Sequence, residues 1–225
     1  MPQDDRSAVV VFSGGQDSTT CLAWACTRFR RVHAVTIDYG QRHRIEIEAA
    51  QRVAARAQVP WSVLPCDSFR ALGGNALTGD ESVSGGVRPQ TGLPNTFVPG
   101  RNLILITLVA AWAWPRGIAD IVAGVCQTDY SGYPDCRQTT MDHLQQTLRA
   151  GMDSPFTIHT PLMHLSKADS VRLMRDLGRL GWLADSHTCY NGGRPPCGTC
   201  PACHLRAKGF AEAGIPDPLL TARAS

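Results

Sequence analysis

The chain has 225 residues, 43% of them hydrophobic, with a formal net charge of +3; this length allows one well-buried core and a small appendage and excludes two large independent domains. Mild basicity without a long Lys/Arg run points to small anionic ligands and away from direct contact with nucleic acid. Residues 1–6 carry no apolar signal region, and the longest nearly apolar stretch, 103–114, is shorter than the ~20 residues of a membrane span, so a cytoplasmic protein without membrane contact is expected.

The apolar run 8–12 predicts a strand that leads directly into Ser13-Gly14-Gly15-Gln16-Asp17-Ser18-Thr19-Thr20 and then a helix through Ala25. Adjacent glycines let the backbone turn sharply and approach a ligand, and Asp17 or Ser18 is the expected helix cap. A helix N-terminus with free N–H groups is a natural seat for phosphate or pyrophosphate. No Lys follows the glycines, which excludes a Walker A loop, and the spacing is wrong for a dinucleotide fingerprint.

Further along, 32–38 reads as a second strand. Residues 45–57 read as a helix with Ile45, Ala49, Val53 and Ala57 near helical spacing, and 61–65 as a third strand. Residues 66–99 are rich in Gly, Ser, Thr, Asn and Pro and predict a long loop. Residues 101–114 are apolar all round, which predicts a buried helix, stopped by Pro115 and Gly117. A fourth strand at 121–125 runs into a polar and aromatic loop at 129–137. A helix at 139–150, a strand at 156–160 and a helix at 166–177, capped by Ser166 with Asp169 three residues on, complete the pattern. Strands alternating with helices predict an α/β fold with a doubly wound, mostly parallel five-stranded sheet. Ligands of such sheets bind at the carboxyl ends of the strands, which places the loops after Asp38 and at 129–137 beside the glycine loop.

Five of the nine cysteines are scattered, whereas Cys189, Cys197, Cys200 and Cys203 form C-x7-C-x2-C-x2-C. Disulfides are rare in the cytosol, and x2 spacing lets neighbouring thiolates reach one ion, so one structural Zn²⁺ per chain is expected, with a helix following Cys203. A redox pair and an iron–sulfur cluster are the competing uses of four thiols, and His187 and His204 are alternative ligands. The expected division is 1–180 for the ligand-binding α/β domain and 181–225 for a small four-cysteine zinc subdomain packed on it.

Ser-Gly-Gly-x-Asp-Ser at 13–18 resembles the pyrophosphate loop, or PP-loop, of the ATP-pyrophosphatase superfamily, whose members cleave ATP between the α and β phosphates to form adenylates. Taken with Asp38-Tyr39-Gly40-Gln41-Arg42-His43, Glu46, Pro99-Gly100-Arg101-Asn102, the stretch 129–137, Ser166-Lys167 and the cysteines, the chain resembles the 7-cyano-7-deazaguanine synthase family over nearly its whole length. One departure is 138–141, where the family more often has an acidic residue and a Phe.

The resemblance implies an ATP-dependent ligase that converts 7-carboxy-7-deazaguanine and ammonia to the nitrile in queuosine biosynthesis, by way of an adenylated acid and an adenylated amide. It also implies free ammonia as the nitrogen source, Mg²⁺ with ATP, and a homodimer. On that picture Phe12, Ser13, Gly14, Gly15, Gln16, Asp17, Ser18, Thr19 and Asp38 bind ATP, and Asp17, Lys167, Arg101 and His43 are the catalytic candidates. Tyr130, Tyr133, Asp135, Arg137, Gln41 and Asn102 are the substrate-binding candidates. A tRNA-thiolating relative, a relative that attaches the deazaguanine to a macromolecule, and an ATP-sensing zinc module are the other readings of these residues.

Overall fold

The computed structural model describes residues 4–40, 45–69, 87–128 and 132–221. Five strands, β1 (Asp4–Val11), β2 (Phe29–Asp38), β3 (Trp61–Pro65), β4 (Asp120–Val122) and β5 (Thr157–His159), form one parallel sheet in the order β3-β2-β1-β4-β5. The connecting helices are α1 (Gln16–Arg28), α2 (Ile45–Ala57), α3 (Arg101–Ala113), α4 (Gln138–Met152) and α5 (Lys167–Asp176); α6 (Pro201–Ala213) and α7 (Pro218–Thr221) follow. The fold class is the α/β class expected from the alternation of elements.

Successive side chains of a strand point to opposite faces, and this divides the core in two. Val9, Val35 and Ile121 face α3 and α4 and pack with Ile106, Val109 and Leu144. Ala8, Val10, Phe12 and Val122 face α1 and α2 and pack with Leu22, Ala25 and Val53. Central strands buried on both faces explain why residues 8–12 read as a continuous apolar run.

Several boundaries differ from the sequence expectation for local reasons. Helix α1 starts at Gln16 with Gly15 as N-cap, so neither Asp17 nor Ser18 caps it; both lie within its first turn. Strand β4 ends at Val122 instead of 125, because the chain there turns close under the glycine loop. A Cβ added to Gly124 would sit 3.2 Å from the Ser18 nitrogen. Helix α3, apolar all round, buries only Ile106, Val109, Ala110 and Ala113, a single stripe. The Ser166 cap is as expected, with Asp169 N–H donating to Ser166 Oγ at 3.1 Å and Ser166 N–H returning to Asp169 Oδ2 at 3.4 Å.

The C-terminal helices are tied back onto the sheet layer. Val171 and Met174 of α5, Ala23 of α1, Leu183 and Phe210 form a third apolar cluster. The buried Arg206 reaches Asp217 with two nitrogens at 2.7 and 2.8 Å and donates to Ser186 Oγ and the Leu183 carbonyl. Two forked bonds plus two further acceptors satisfy a guanidinium that would otherwise be costly to bury. Among the described residues no helix is long and apolar enough to cross a membrane.

Candidate functional site

The strand order turns at β1, whose two neighbours are β2 and β4, and the glycine loop leaves β1 at that switch point. Gly14 has φ +81°, and a Cβ there would lie 2.5 Å from the Ala50 nitrogen and 2.7 Å from the Glu46 carbonyl oxygen. Only glycine allows both that conformation and that approach to α2. Inside the loop, Ser18 Oγ accepts from the Ser13 N–H at 3.2 Å and lies 3.1 Å from Ser13 Oγ. This hydroxyl pair braces the turn, and the first N–H groups of α1 remain without helical acceptors, ready for an anion.

A cavity opens above this loop at the carboxyl ends of β1, β2 and β4. It is lined by Phe12, Ser13, Gly15, Gln16, Asp17 and Ser18 of the loop, by Ile37 and Tyr39 after β2, and by Glu46 of α2. Arg101, Asn102 and Leu105 of α3, the stretch 123–125, and His187, Thr188 and Tyr190 of the segment before the cysteines complete the wall. Of the other residues expected to bind ATP, Gly14 is turned onto α2, Thr19 is fully buried in α1, and Asp38 accepts from the Gly40 N–H at 3.3 Å.

Lys167 Nζ donates to Asp17 Oδ2 at 2.5 Å, bringing the start of α5 to the start of α1. Arg101 enters from the first position of α3, beyond the left-handed Gly100. Its guanidinium hydrogen-bonds the Tyr39 side chain and acts electrostatically on Glu46 and Tyr190. Burial pushes the Glu46 carboxyl up to about 7, with Arg101 pulling the other way. Burial also raises the Tyr39 and Tyr190 hydroxyls and pushes His187 down to about 4. These cavity residues come from segments far apart in sequence.

The remaining substrate-binding candidates are not all brought to this cavity. Tyr133 is buried with its hydroxyl 2.6 Å from Thr96 Oγ1. Asp135 is buried too, and its Oδ2 accepts from the Asn102 N–H at 2.9 Å, so it satisfies an orphan donor at the start of α3. Arg137 is exposed at the N-cap of α4. Gln41, His43 and Tyr130 lie outside the described residues. Tyr39, Glu46, Tyr190 and His187 are cavity residues to which sequence reasoning gave no role at the ligand. The usable signal was position: Tyr39 and Glu46 follow the carboxyl end of β2.

The four cysteine sulfurs lie within 4.8 Å of one another. Four thiolates at ~2.3 Å from one ion stand at similar mutual separations, so the set matches a tetrahedral metal site. The surroundings suit bound thiolates. Cys197 Sγ accepts from the Cys200 N–H at 3.4 Å and from Thr199 Oγ1 at 3.5 Å, and Cys189 Sγ accepts from the Cys197 N–H at 3.4 Å. Hydrogen bonds from Thr199 foremost bring the Cys197 thiol down to about 5. Cys200 is the N-cap of α6 with Pro201 next, so the helix start also favours negative charge there. His187 stands in the cavity wall, not in this cluster. Its N–H donates to the Gly14 carbonyl at 2.9 Å, joining the cysteine segment to the glycine loop.

A parallel α/β sheet with this glycine loop at its switch point and, near the C-terminus, four converging cysteines able to hold a metal ion defines a PP-loop-type protein. The chain belongs to the family described as "Queuosine biosynthesis protein QueC", whose model matches residues 7–214. It is 60% identical over 220 residues to the 7-cyano-7-deazaguanine synthase of Laribacter hongkongensis, covering 97% of this chain and 96% of that protein. It is likewise 60% identical over 220 residues to the protein of that name from Chromobacterium violaceum, covering 96% and 94%. The synthase of Bradyrhizobium sp. (strain ORS 278) is 48% identical over 231 residues, covering 93% and 97%.

Proposed function

We propose that this chain is an ATP-dependent carbon–nitrogen ligase that makes 7-cyano-7-deazaguanine from 7-carboxy-7-deazaguanine and ammonia. The observation that carries the reading is the meeting of the glycine loop, the Asp17–Lys167 pair and Arg101 around one cavity, in a chain 60% identical to proteins named for that product. In the proposed sequence, a carboxylate oxygen of the acid attacks the α-phosphorus of ATP and pyrophosphate leaves. Ammonia then displaces AMP from the acyl adenylate and loses a proton, giving the amide. The amide oxygen attacks the α-phosphorus of a second ATP and pyrophosphate leaves; loss of AMP and of both amide N–H protons then leaves the nitrile.

The chain's own groups have distinct tasks in this scheme. Free N–H groups at the start of α1, with Ser13 and Ser18 hydroxyls, hold the departing pyrophosphate. Lys167 and Arg101 offset the negative charge that builds during each displacement. Lys167 contacts Oδ2 of Asp17, so Oδ1 remains to hold Mg²⁺, which supplies charge neutralisation on the phosphates when bound. His43 is proposed to carry protons, and Gln41, Asn102, Tyr130 and Arg137 to contact substrate. The four cysteines are proposed to hold structural zinc in a C-terminal element, residues 181–225, that presses His187 and Tyr190 onto the cavity. The protein is proposed to act in the cytoplasm as a homodimer.

The test is mass spectrometry of products after metal-replete protein is incubated with ATP, Mg²⁺, ammonium and the acid. Nitrile with two AMP per turnover supports the ligase. ATP binding with the acid returned unchanged would retain the nucleotide site and reject this substrate.

A further inference from the structure

Among the described residues Asp17 and Glu46 are the carboxylates that line the cavity, and they are in opposite situations. Asp17 is paired with Lys167. Among the described residues the Glu46 side chain makes no hydrogen bond and no ion pair, although Arg101 acts on it through space. A half-buried carboxylate without donors is costly to keep ionised, and in this fold it opens onto a ligand cavity.

We infer that Glu46, with Arg101 beside it, reads the guanine-like edge of the deazaguanine substrate, and that Tyr39 and Tyr190 form the aromatic walls for its ring. The inference rests on the substrate proposed above. The chemistry is complementary. A guanine-like edge presents one carbonyl acceptor, then a ring N–H and an exocyclic amine as donors. An ionised carboxylate is acceptor-only with two oxygens, and a guanidinium is donor-only with a rigid fork. Glu46 therefore takes the two donors, and a fork nitrogen of Arg101 not engaged by Tyr39 takes the carbonyl. Adenine presents a donor where guanine has the carbonyl and an acceptor where guanine has the ring N–H. The same pair of side chains would meet it donor to donor and acceptor to acceptor. An enzyme that binds two purine-like molecules at once can sort them in this way, since each mismatched or unpaired buried group carries its full penalty.

Packing supports the assignment. Tyr39 is held by Arg101 and lies against Phe69 at 5.3 Å between ring centroids. Tyr190 follows Cys189, so the cysteine element sets its position. Two substrate-binding candidates of the 129–137 loop have other partners: Asp135 accepts from the Asn102 N–H, and the Tyr133 hydroxyl meets Thr96 Oγ1. Burial raises the Glu46 carboxyl by removing its solvent, with Arg101 opposing.

The test compares the full-length, metal-replete wild type with Glu46→Gln on two acids, 7-carboxy-7-deazaguanine and the analogue in which hydrogen replaces the exocyclic amine. Gln keeps one acceptor but turns an N–H₂ toward a substrate donor. The expected result is a fall in kcat/KM for the guanine-like acid on the order of 100-fold, carried mostly by KM. The fall for the analogue should be about 10-fold or less, with the KM for ATP unchanged. Equal losses on both acids, or a loss confined to ATP, overturns the inference. Calorimetric titration of each acid, together with thermal melting, separates this from failure of the reaction. If wild type binds the acid without turning it over and Glu46→Gln abolishes that binding, the edge assignment stands and the ligase reading falls. If the folded wild type binds neither acid, both fall.

Discussion

Lys167 and Asp17 stand 150 residues apart in sequence, yet the lysine Nζ lies 2.5 Å from the aspartate Oδ2. Each is in the first turn of its own helix, where a carboxylate is favoured by the macrodipole and a cation is not. A lysine at the first residue of α5 thus gives up some helix stability, partly offset by the Ser166–Asp169 capping box. Such a placement makes sense if the cation faces developing charge at the glycine loop. Lys167→Met is expected to reduce ATP–pyrophosphate exchange on the order of 10²-fold or more while shifting the melting temperature only slightly. Asp17→Asn combined with it should cost less than the two single losses added, because the groups act as a unit. Full additivity in this cycle would count against a shared role.

Gly14→Ala is expected to destabilise the fold by about 2–4 kcal/mol, from a left-handed φ and from a Cβ forced against α2. The structural basis is φ +81° and a contact of 2.5 Å with the Ala50 nitrogen. Gly151→Ala is the control: it lies in α4 with nothing within 4 Å of its Cβ, and should be neutral or stabilising by up to ~1 kcal/mol. Urea denaturation of the two variants reads the contrast directly. Equal midpoints would show that the loop relaxes away from α2.

If the four cysteines hold a metal as proposed, its removal should propagate to the glycine loop. Elemental analysis is expected to find one zinc per chain, and a strong chelator or Cys200→Ala should lower the melting temperature and increase hydrogen exchange across 183–213. Because the His187 N–H is bonded to the Gly14 carbonyl at 2.9 Å, ATP affinity should weaken in the same samples. Metal loss with unchanged melting and unchanged ATP binding would show that the cysteine element is not coupled to the loop.

The pH dependence of stability should carry the signature of Glu46. Its carboxyl is raised to about 7 by burial, with Arg101 opposing, and Tyr39 and Tyr190 share the site. A folded value above the unfolded one means that ionisation opposes folding. The contribution is complete below about pH 4.3, is lost as pH rises through about 7, and is constant above. Glu46→Gln removes this loss, so the variant should gain about 1–3 kcal/mol relative to wild type between pH 4.5 and 8 in denaturant titrations. Parallel pH profiles for the two proteins would place the Glu46 carboxyl at its ordinary value in the folded state.

Much of this protein is determined by short-range sequence signals. The apolar run ending at Phe12, the glycines at 14 and 15, the Ser166 cap and the cysteine spacing each act within a few residues, where turn chemistry and helical or strand periodicity operate. These signals suffice for the α/β class, the parallel sheet and the four-cysteine cluster. The helix at 101–113 shows their limit. Its composition is apolar on every face, but only the positions that meet the sheet are buried, and that depends on what packs against it.

The chemistry of the cavity was decided by tertiary structure. In the chain Asp135 lies in a polar loop and Glu46 at the start of a helix, and neither setting says which carboxylate is paired. Folding spends Asp135 on the Asn102 N–H and leaves Glu46 facing the cavity with no side-chain donor among the described residues. Lys167 finds Asp17, and Tyr39, Glu46, Arg101 and Tyr190 meet only because β2, α2, α3 and the cysteine segment end at the same edge of one sheet. Periodicity and turn preference fix where elements begin and end, whereas which charges are paired and which stay open to a ligand is a long-range outcome of packing.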